Sequence, residues 1–187
     1  MTGAVILAAG AGRRLGTVAK ALLRVGDATY LQTITEKARA AGVDHVVVVV
    51  GAPHDRAVRE EARRLSIESV VDNPDPDRGM ATSIELGFRA VAQASRAFLW
   101  PVDHPFVATT TLGRLLAGIG AHDAARPTFE GRGGHPPLIA STLFSALSAC
   151  SAEPEGARSV LARHDVINIA VDDRGVVRDV DRPEDLA

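Results

Sequence analysis

Cysteine, long apolar runs and charge of one sign are all scarce in this chain of 187 residues, and each scarcity excludes a class of protein. Cys150 is the single cysteine, so neither an internal disulfide nor a thiolate zinc cluster can form, which is typical of a reducing compartment. The 21 basic and 23 acidic residues leave a net charge of -2, and no polybasic block indicates nucleic-acid binding. Any anionic ligand must therefore meet a local group of cations.

The hydrophobic residues are distributed as in a globular protein. No uninterrupted apolar run approaches the roughly 20 residues that a membrane helix needs, and the segment from Met1 to Ala9 lacks the basic start and cleavage region of a signal peptide. We therefore expect a cytoplasmic protein without a membrane partner. Hydrophobic residues make up 46% of the chain and charged residues 24%, which excludes disorder as the main state. The length predicts a single domain, 1–187.

Short apolar runs alternate with segments of helical periodicity. This alternation predicts an α/β fold with a mostly parallel, doubly wound (Rossmann-like) sheet that is covered on both faces. The first run, Val5 to Ala9, is apolar at successive positions, as a strand buried on both faces must be. Further strands are predicted at 46–50, 67–71, 97–100, 166–171 and 176–177, and helices at the apolar stripes within 31–41, 58–65, 84–92, 112–119 and 143–147. The pattern changes after Ala124, so we interpret 124–187 as an elaboration of the same domain with closing strands.

A glycine-rich turn follows the first strand directly. Such a turn at the carboxyl end of a strand lets backbone amides approach phosphate oxygens, which makes Gly10 to Gly16 a nucleotide-site hypothesis. The pattern is GxGxxxG, one residue longer than the dinucleotide fingerprint, and no Gly-Lys-Ser or Gly-Lys-Thr of a phosphate loop follows. Arg13, Arg14 and Lys20 suit a triphosphate better than a dinucleotide's pyrophosphate, and lysine is otherwise found only at Lys37, beside nineteen arginines. A structural turn with solvated charges is the alternative interpretation.

Asp103 directly follows the predicted strand 97–100 and precedes His104 and Pro105. Its carboxylate should therefore lie at the same carboxyl edge of the sheet as the glycine turn. Mg²⁺ prefers one or two carboxylates and shares the rest of its shell with phosphate oxygens and water, which makes Asp103 a candidate ligand. The alternatives are a helix cap or turn before Thr109 for Asp103, and an ordinary hydrogen-bonding role for His104.

Five segments, in order along nearly the whole chain, resemble the nucleotidyltransferases related to the molybdenum cofactor guanylyl- and cytidylyltransferases. They are Leu7-Ala8-Ala9-Gly10-Ala11-Gly12-Arg13-Arg14-Leu15-Gly16 with Lys20, Asn73 with Gly79-Met80-Ala81-Thr82-Ser83-Ile84 and Gly87, Pro101-Val102-Asp103-His104-Pro105, Gly134-His135-Pro136, and Asp179-Val180-Asp181-Arg182-Pro183-Glu184-Asp185. There are two departures: three residues separate Lys20 from Gly16 where many cytidylyl members have two, and Thr82 replaces a usual serine.

The resemblance implies transfer of a nucleoside monophosphate from a triphosphate to a phosphorylated acceptor, molybdopterin or its molybdenum form, with release of pyrophosphate. It implies a nucleotide-binding N-terminal half and an acceptor-side region 124–187. The catalytic residues it implies are Arg13, Lys20 and Asp103, and the Mg²⁺ ligands are Asp103 and Asp181, with Asp179 as the alternative to Asp181. The implied nucleotide-binding residues are Leu7, Ala8, Ala9, Gly10, Gly12, Arg13, Lys20, Asn73, Gly79 and Ser83. On the acceptor side, the implied residues are His104, Gly134 and His135.

Two features favour CTP as the nucleotide. Guanylyl members carry Leu-Ala-Gly-Gly where this chain has Leu7 to Gly10, and 79–83 resembles the pyrimidine-facing loop of cytidylyl relatives. The glycines of 131–134 would form an adjustable wall for the acceptor, or else a plain hairpin connection.

Three other functions stay open. One is a transferase for a sugar or alcohol phosphate, and another is an accessory protein that binds the cofactor and hands it to a molybdoenzyme partner. The third, a dinucleotide oxidoreductase, is disfavoured because Val50 leads into Gly51 with no acidic residue at the end of the second strand.

Overall fold

The computed structural model describes residues 1–12 and 18–180. The strands are β1 (Thr2–Leu7), β2 (Arg24–Val25), β3 (Ala28–Thr29), β4 (His45–Gly51), β5 (Ser69–Asn73), β6 (Arg96–Pro101), β7 (Ala124–Phe129), β8 (Arg132–Gly133), β9 (Leu138–Ala140) and β10 (Val166–Ala170). The helices are α1 (Tyr30–Ala40), α2 (Asp55–Arg64), α3 (Met80–Ala90), α4 (Thr109–Gly118), α5 (Phe144–Leu147) and α6 (Ala157–Ala162). None of these described helices has the length and apolar character that crossing a membrane requires.

Eight of the strands form one sheet, in the order β10-β7-β9-β6-β1-β4-β5. The eighth strand, β8, pairs with the carboxyl-terminal end of β7. β1 pairs in parallel with β4 and with β6, and β4 pairs in parallel with β5, whereas β9 is antiparallel to both its neighbours. From β1 the chain proceeds to β4 and β5 on one side, and it then crosses to β6 on the other side of β1. The connections after β1 and β6 thus run in opposite directions, which opens a crevice at the carboxyl ends of these two strands.

Two apolar cores cover the two faces of the sheet, as the successive apolar positions in the sequence predict. Ala4 and Ile6 of β1 belong to the core under α1, α2 and α4, whereas Val5 and Leu7 belong to the core under α3, α5 and α6. The five valines of 46–50 alternate between the same two cores. The predicted α/β architecture with a mostly parallel sheet is confirmed.

The prediction of a strand at 176–177 is wrong, because this segment lies in a short 3-10 helix, Arg174–Val177. The carboxylate of Asp173 accepts a hydrogen bond from the amide of Gly175 at 2.9 Å and so caps this turn. A Cβ atom at Gly175 would lie 2.4 Å from the carbonyl oxygen of Phe106, so the segment packs directly against the loop after β6. Contacts with a distant loop therefore override the apolar pattern.

The third predicted strand is displaced by two residues, to Ser69–Asn73 from the predicted 67–71. Ile67 instead lies in the connection between α2 and β5. Its amide donates to the carbonyl oxygen of Ala62 at 2.9 Å, and its side chain is buried. The predicted helix at 143–147 is a 3-10 turn, Ser141–Leu143, followed by the single turn of α5.

The glycines of 131–134 form a hairpin connection, which was one of the two alternatives. β8 pairs with β7, and Gly134 is buried with its amide bonded to the carbonyl of Pro127 at 2.8 Å. A Cβ atom at Gly134 would lie 2.4 Å from the carbonyl oxygen of Val176, which leaves room only for glycine. The hairpin is therefore held against the 174–177 turn.

Gly87 sets how closely α3 packs on the sheet, and its substitution gives a test of the core. A Cβ atom at Gly87 would lie 2.2 Å from Cγ1 of the fully buried Val5. Gly87→Ala should lower the free energy of unfolding by about 1–2 kcal/mol, because overpacking outweighs the gain in helix propensity. Gly113→Ala is the matched control in α4, where no atom lies within 4 Å, and it should raise that free energy by up to about 1 kcal/mol. Urea unfolding measures both, and an unchanged or higher stability of Gly87→Ala would contradict this packing.

Candidate active site at the carboxyl edge of the sheet

A cavity of about 720 Å³, which we name the Asp103 cavity, opens at the carboxyl ends of β1 and β6. These two strands are neighbours whose register pairs Leu7 with Pro101. The turn after β1, the loop before α3 and the turn after β6 all contribute to its lining. The cavity therefore lies at the point where the sheet's connections diverge, which is where α/β sheets bind ligands.

Backbone atoms form much of the wall after β1. The amide of Ala8 donates to the carbonyl oxygen of Val49 at 2.8 Å and so extends the pairing of β1 with β4 by one residue. The chain leaves the sheet after Ala9. Gly12 has φ +58, and a Cβ atom there would lie 2.0 Å from the carbonyl oxygen of Val18. Only glycine fits this turn, so a ligand can approach its backbone closely.

Lys20 and Asp103 form an ion pair on the wall of the cavity. Lys20 Nζ lies 3.1 Å from Asp103 Oδ2, and the two side chains are only 15% and 21% exposed. Burial by itself raises the pKa of Asp103, but the hydrogen bond from His104 and the charge of Lys20 outweigh it and lower that pKa to about 2. The carboxylate is thus ionised at neutral pH although it is largely buried.

Two histidines continue the site beyond Asp103. His104 Nδ1 lies 3.0 Å from Asp103 Oδ1, and because an ionised carboxylate can only accept, the ring proton is on Nδ1. The rings of His104 and His135 meet edge to face with centroids 4.8 Å apart. Burial and, next, the proximity of His104 lower the pKa of His135 to about 4, so that ring is neutral at pH 7. Its Nδ1 atom is buried without a hydrogen-bond partner in the part of the chain that the structure describes.

The turn that carries Asp103 is supported from three directions, none of which the sequence analysis identified. Trp100 Nε1 donates to the carbonyl of His104 at 3.0 Å, and Lys37 Nζ donates to the carbonyl of Pro105 at 2.7 Å. The amide of Val180 donates to the carbonyl of Asp103 at 3.0 Å. The scarcity of lysine was a usable signal, since both lysines of the chain act on this one turn.

The loop before α3 forms the opposite wall. Gly79 precedes the helix with φ +104, a conformation that L side chains rarely adopt. Asn73 is 4% exposed, and its Nδ2 donates to Thr82 Oγ1 at 2.9 Å and to Ser83 Oγ at 2.8 Å. Asn73, which does not line the cavity, therefore positions Ser83, which does.

A second cavity, of about 770 Å³, adjoins the first on the β7 side, and we name it the Arg126 chamber after one of its lining residues. Of the residues singled out from the sequence, those that line the Asp103 cavity are Leu7, Ala9, Gly10, Gly12, Lys20, Gly79, Ser83, Asp103, His104, His135 and Asp179. Gly134 lines the Arg126 chamber, and His135 lines both. Ala8 and Asn73 lie behind the walls, and the predictions for Arg13, Arg14 and Asp181 fall outside the described residues.

The donor set suits a cation that shares its ligands with phosphate. Within residues 1–12 and 18–180, no group of three or more His, Cys, Asp or Glu side chains could hold a metal ion by itself. Asp103 is ionised on the cavity wall, and Asp179 lines the same cavity, because the bond from Val180 ties this segment to the Asp103 backbone. One or two carboxylates beside a phosphate site are what Mg²⁺ requires, so these residues fit it.

Lys20→Met should raise the pKa of Asp103. The substitution removes one of the two groups, Lys20 and His104, that lower this pKa against the effect of burial. A folded-state pKa of about 2 lies below the ordinary value of about 3.9, so ionised Asp103 stabilises the fold above that pH and loses this effect as the pH falls toward 2. Carboxyl-carbon NMR between pH 3 and 6 measures the change. Arg56→Met, on the exposed surface of α2, is the control and should leave the pKa of Asp103 unchanged. If Asp103 has the same pKa in Lys20→Met and in the wild-type protein, the ion pair has no electrostatic effect.

Comparisons with known proteins found related sequences and structures. Residues 4–167 match the family model described as the MobA-like NTP transferase domain. The chain is 32% identical to the nicotine blue oxidoreductase of Paenarthrobacter nicotinovorans, and the match covers 97% of this chain and 93% of that protein. It is 30% identical to a probable molybdenum cofactor guanylyltransferase of Methanosarcina acetivorans, and that match covers 92% of this chain and 80% of the relative. The structure of Rv0371c from Mycobacterium tuberculosis in complex with manganese is similar with a TM-score of 0.76 and 29% identity, over 98% of this chain and 95% of that one. The chain therefore belongs to the MobA-like family of nucleotidyltransferases.

Proposed function

We propose that this protein transfers a nucleoside monophosphate, from CTP in preference to other triphosphates, to a phosphorylated acceptor, molybdopterin or its molybdenum form. The observation that carries the proposal is the Lys20–Asp103 ion pair, which lies in one cavity with the glycine turn at the carboxyl edge of the sheet. Such a cavity offers backbone amides, a fixed cation and an ionised carboxylate to a polyphosphate.

The reaction needs no covalent nucleophile from the protein. An oxygen of the acceptor phosphate forms a bond to the α-phosphorus, the bond from that phosphorus to the bridging oxygen breaks, and pyrophosphate leaves with the electron pair. Two anions must be brought together and aligned, and charge develops on the leaving group. Lys20 would neutralise part of this charge, the amides of Gly10 to Gly12 would bind phosphate oxygens, and Arg13 remains a prediction for the same role.

Asp103 would hold Mg²⁺ together with Asp179 or Asp181. When bound, the cation neutralises phosphate charge and favours departure of pyrophosphate. Lys20 and His104 keep the Asp103 carboxylate ionised, and the bonds to Trp100 and Lys37 keep its turn in position. The manganese in the structure of the Rv0371c relative supports a divalent cation in this family.

The preference for CTP rests on the two walls of the Asp103 cavity. Backbone at Ala9 and Gly10 on one side and Gly79 on the other would exclude a purine by its size. Ser83 Oγ accepts from Asn73 Nδ2, so its own hydroxyl proton is directed elsewhere and can bond to an edge of the base. GTP is the direct competitor, because several relatives are named molybdenum cofactor guanylyltransferases.

Asp103→Asn should nearly abolish pyrophosphate release from CTP and Mg²⁺ with molybdopterin, by about three orders of magnitude, since the metal-centred charge stabilisation is lost. Asp165→Asn is the control: Asp165 is exposed, pairs with His122 and directly precedes β10 at the amino edge of the sheet. A coupled pyrophosphate assay should find this control unchanged. Full activity of a folded Asp103→Asn protein would exclude Asp103 from the reaction.

Nucleotide choice should appear directly in binding. Calorimetry with Mg²⁺ should find CTP bound about tenfold more tightly than GTP, because a purine meets the backbone walls. Turnover with molybdopterin against simple sugar phosphates then identifies the acceptor. Tighter binding of GTP would replace the cytidylyl assignment by a guanylyl one, and turnover with sugar phosphate alone would indicate the sugar or alcohol phosphate transferase.

Oxidoreductase chemistry is the second candidate, favoured by the 32% identity to the nicotine blue oxidoreductase. Against it, β4 ends at Val50-Gly51 without the carboxylate that binds ribose in dinucleotide folds. Two assays separate the candidates: calorimetric competition of NADH or NADPH with CTP, and absorbance at 340 nm with NADH or NADPH and nicotine blue supplied as the electron acceptor. We expect CTP to bind more tightly and neither dinucleotide to be oxidised. CTP binding without pyrophosphate release would instead indicate the accessory, cofactor-carrying function.

A further inference from the structure

The Arg126 chamber is a second cavity beside the proposed nucleotide site. It shares Gly79, Met80, Pro101 and His135 with the Asp103 cavity, so the two cavities adjoin beside the start of α3. At about 770 Å³ it has the size of a site for a drug-sized molecule. A molecule in the chamber would therefore lie next to the Asp103 cavity.

The chamber combines apolar walls with a group of cations. Its apolar lining includes Ile84, Leu99, Pro137, Leu161 and Val166. Apolar walls of this kind suit the ring system or hydrocarbon part of a ligand, and not a bare sugar.

Three guanidinium groups line the same chamber, from Arg78, Arg126 and Arg158, together with one carboxylate, from Glu155. Elsewhere in the described residues, arginines such as Arg163 pair with carboxylates. Within 1–12 and 18–180, Arg78, Arg126 and Arg158 have no carboxylate partner.

Arg126 is exposed, and one edge of its guanidinium group makes a hydrogen bond. Its Nε donates to Asn168 Oδ1 at 2.9 Å, which leaves the two terminal nitrogens without a partner among the described residues. Its side chain lies over Gly133, where a Cβ atom would come within 3.0 Å of Nε and 3.1 Å of Cζ. A guanidinium that is fixed at one edge and open at the other is suited to a bidentate anion.

We propose that the Arg126 chamber binds the body of the acceptor, and that this acceptor carries a second anionic group, which Arg126 and Arg158 recognise. The acceptor is thus a phosphate monoester with an apolar or aromatic ring system and a second anionic group. Its phosphate would lie at the Asp103 cavity and its second anion at the arginines. This inference rests on the proposed function for the identity of the ligand as acceptor, but the binding it predicts does not need turnover.

Two synthetic probes test the chamber: biphenyl-4-yl phosphate and 4′-carboxybiphenyl-4-yl phosphate, which differ only in the distal carboxylate. Calorimetry at fixed ionic strength, with Mg²⁺ and a nonhydrolysable CTP analogue present, should find the carboxylated probe bound about tenfold more tightly by the wild-type protein. Arg126→Met, Arg158→Met and the double variant should reduce this preference, while affinity for the uncarboxylated probe and the CTP analogue stays the same.

Arg114→Met is the matched control, since Arg114 is exposed on α4, which covers the opposite face of the sheet. It should keep the full preference. Equal binding of the two probes by the wild-type protein, or an undiminished preference in the double variant, would overturn the proposal. If the preference holds but no triphosphate releases pyrophosphate with any acceptor, the proposed function fails and the anion site stands. If molybdopterin is turned over without any preference for the carboxylated probe, the proposed function stands and the anion site fails.

Discussion

The ion pair between Lys20 and Asp103 joins two segments that are 83 positions apart in the chain and follow neighbouring strands. Because β1 and β6 run in parallel, the turns after them reach the same edge of the sheet, and the two charges meet on one cavity wall. Burial disfavours ionised Asp103, and only Lys20 and His104 keep its pKa near 2. Loss of either partner would leave a largely buried carboxylate without full compensation, which is costly in a protein interior.

The supports around Asp103 tie its turn to three separate parts of the fold. Trp100 belongs to the core, Lys37 to α1 and Val180 to the segment after β10, and each bonds to a backbone atom of the turn at 103–105. A phosphoryl-transfer site works mainly by positioning charges, so a fixed turn matters as much as the residue it carries.

The sequence was sufficient for the parts of the fold that depend on local pattern. Continuous apolar runs predict β1, β4 and β6, and a parallel arrangement of these strands predicts that the glycine turn and Asp103 lie together. It was insufficient where a distant contact decides the outcome. Val176 lies in a turn because Asp173 caps it and Phe106 packs against Gly175. The Arg126 chamber combines residues of β7, α6 and the loop before α3, which no local spacing reveals.

The central claim is that a triphosphate and a divalent cation meet at Asp103, between the glycine turn and the start of α3. The most direct test is a crystal structure with Mn²⁺ and the α,β-methylene analogue of CTP, in which anomalous scattering locates the metal. We expect a manganese peak at coordination distance from the Asp103 carboxylate, phosphates against Gly10 to Gly12 and the base beside Ser83. Manganese and nucleotide bound away from Asp103 in a fully occupied complex would contradict it.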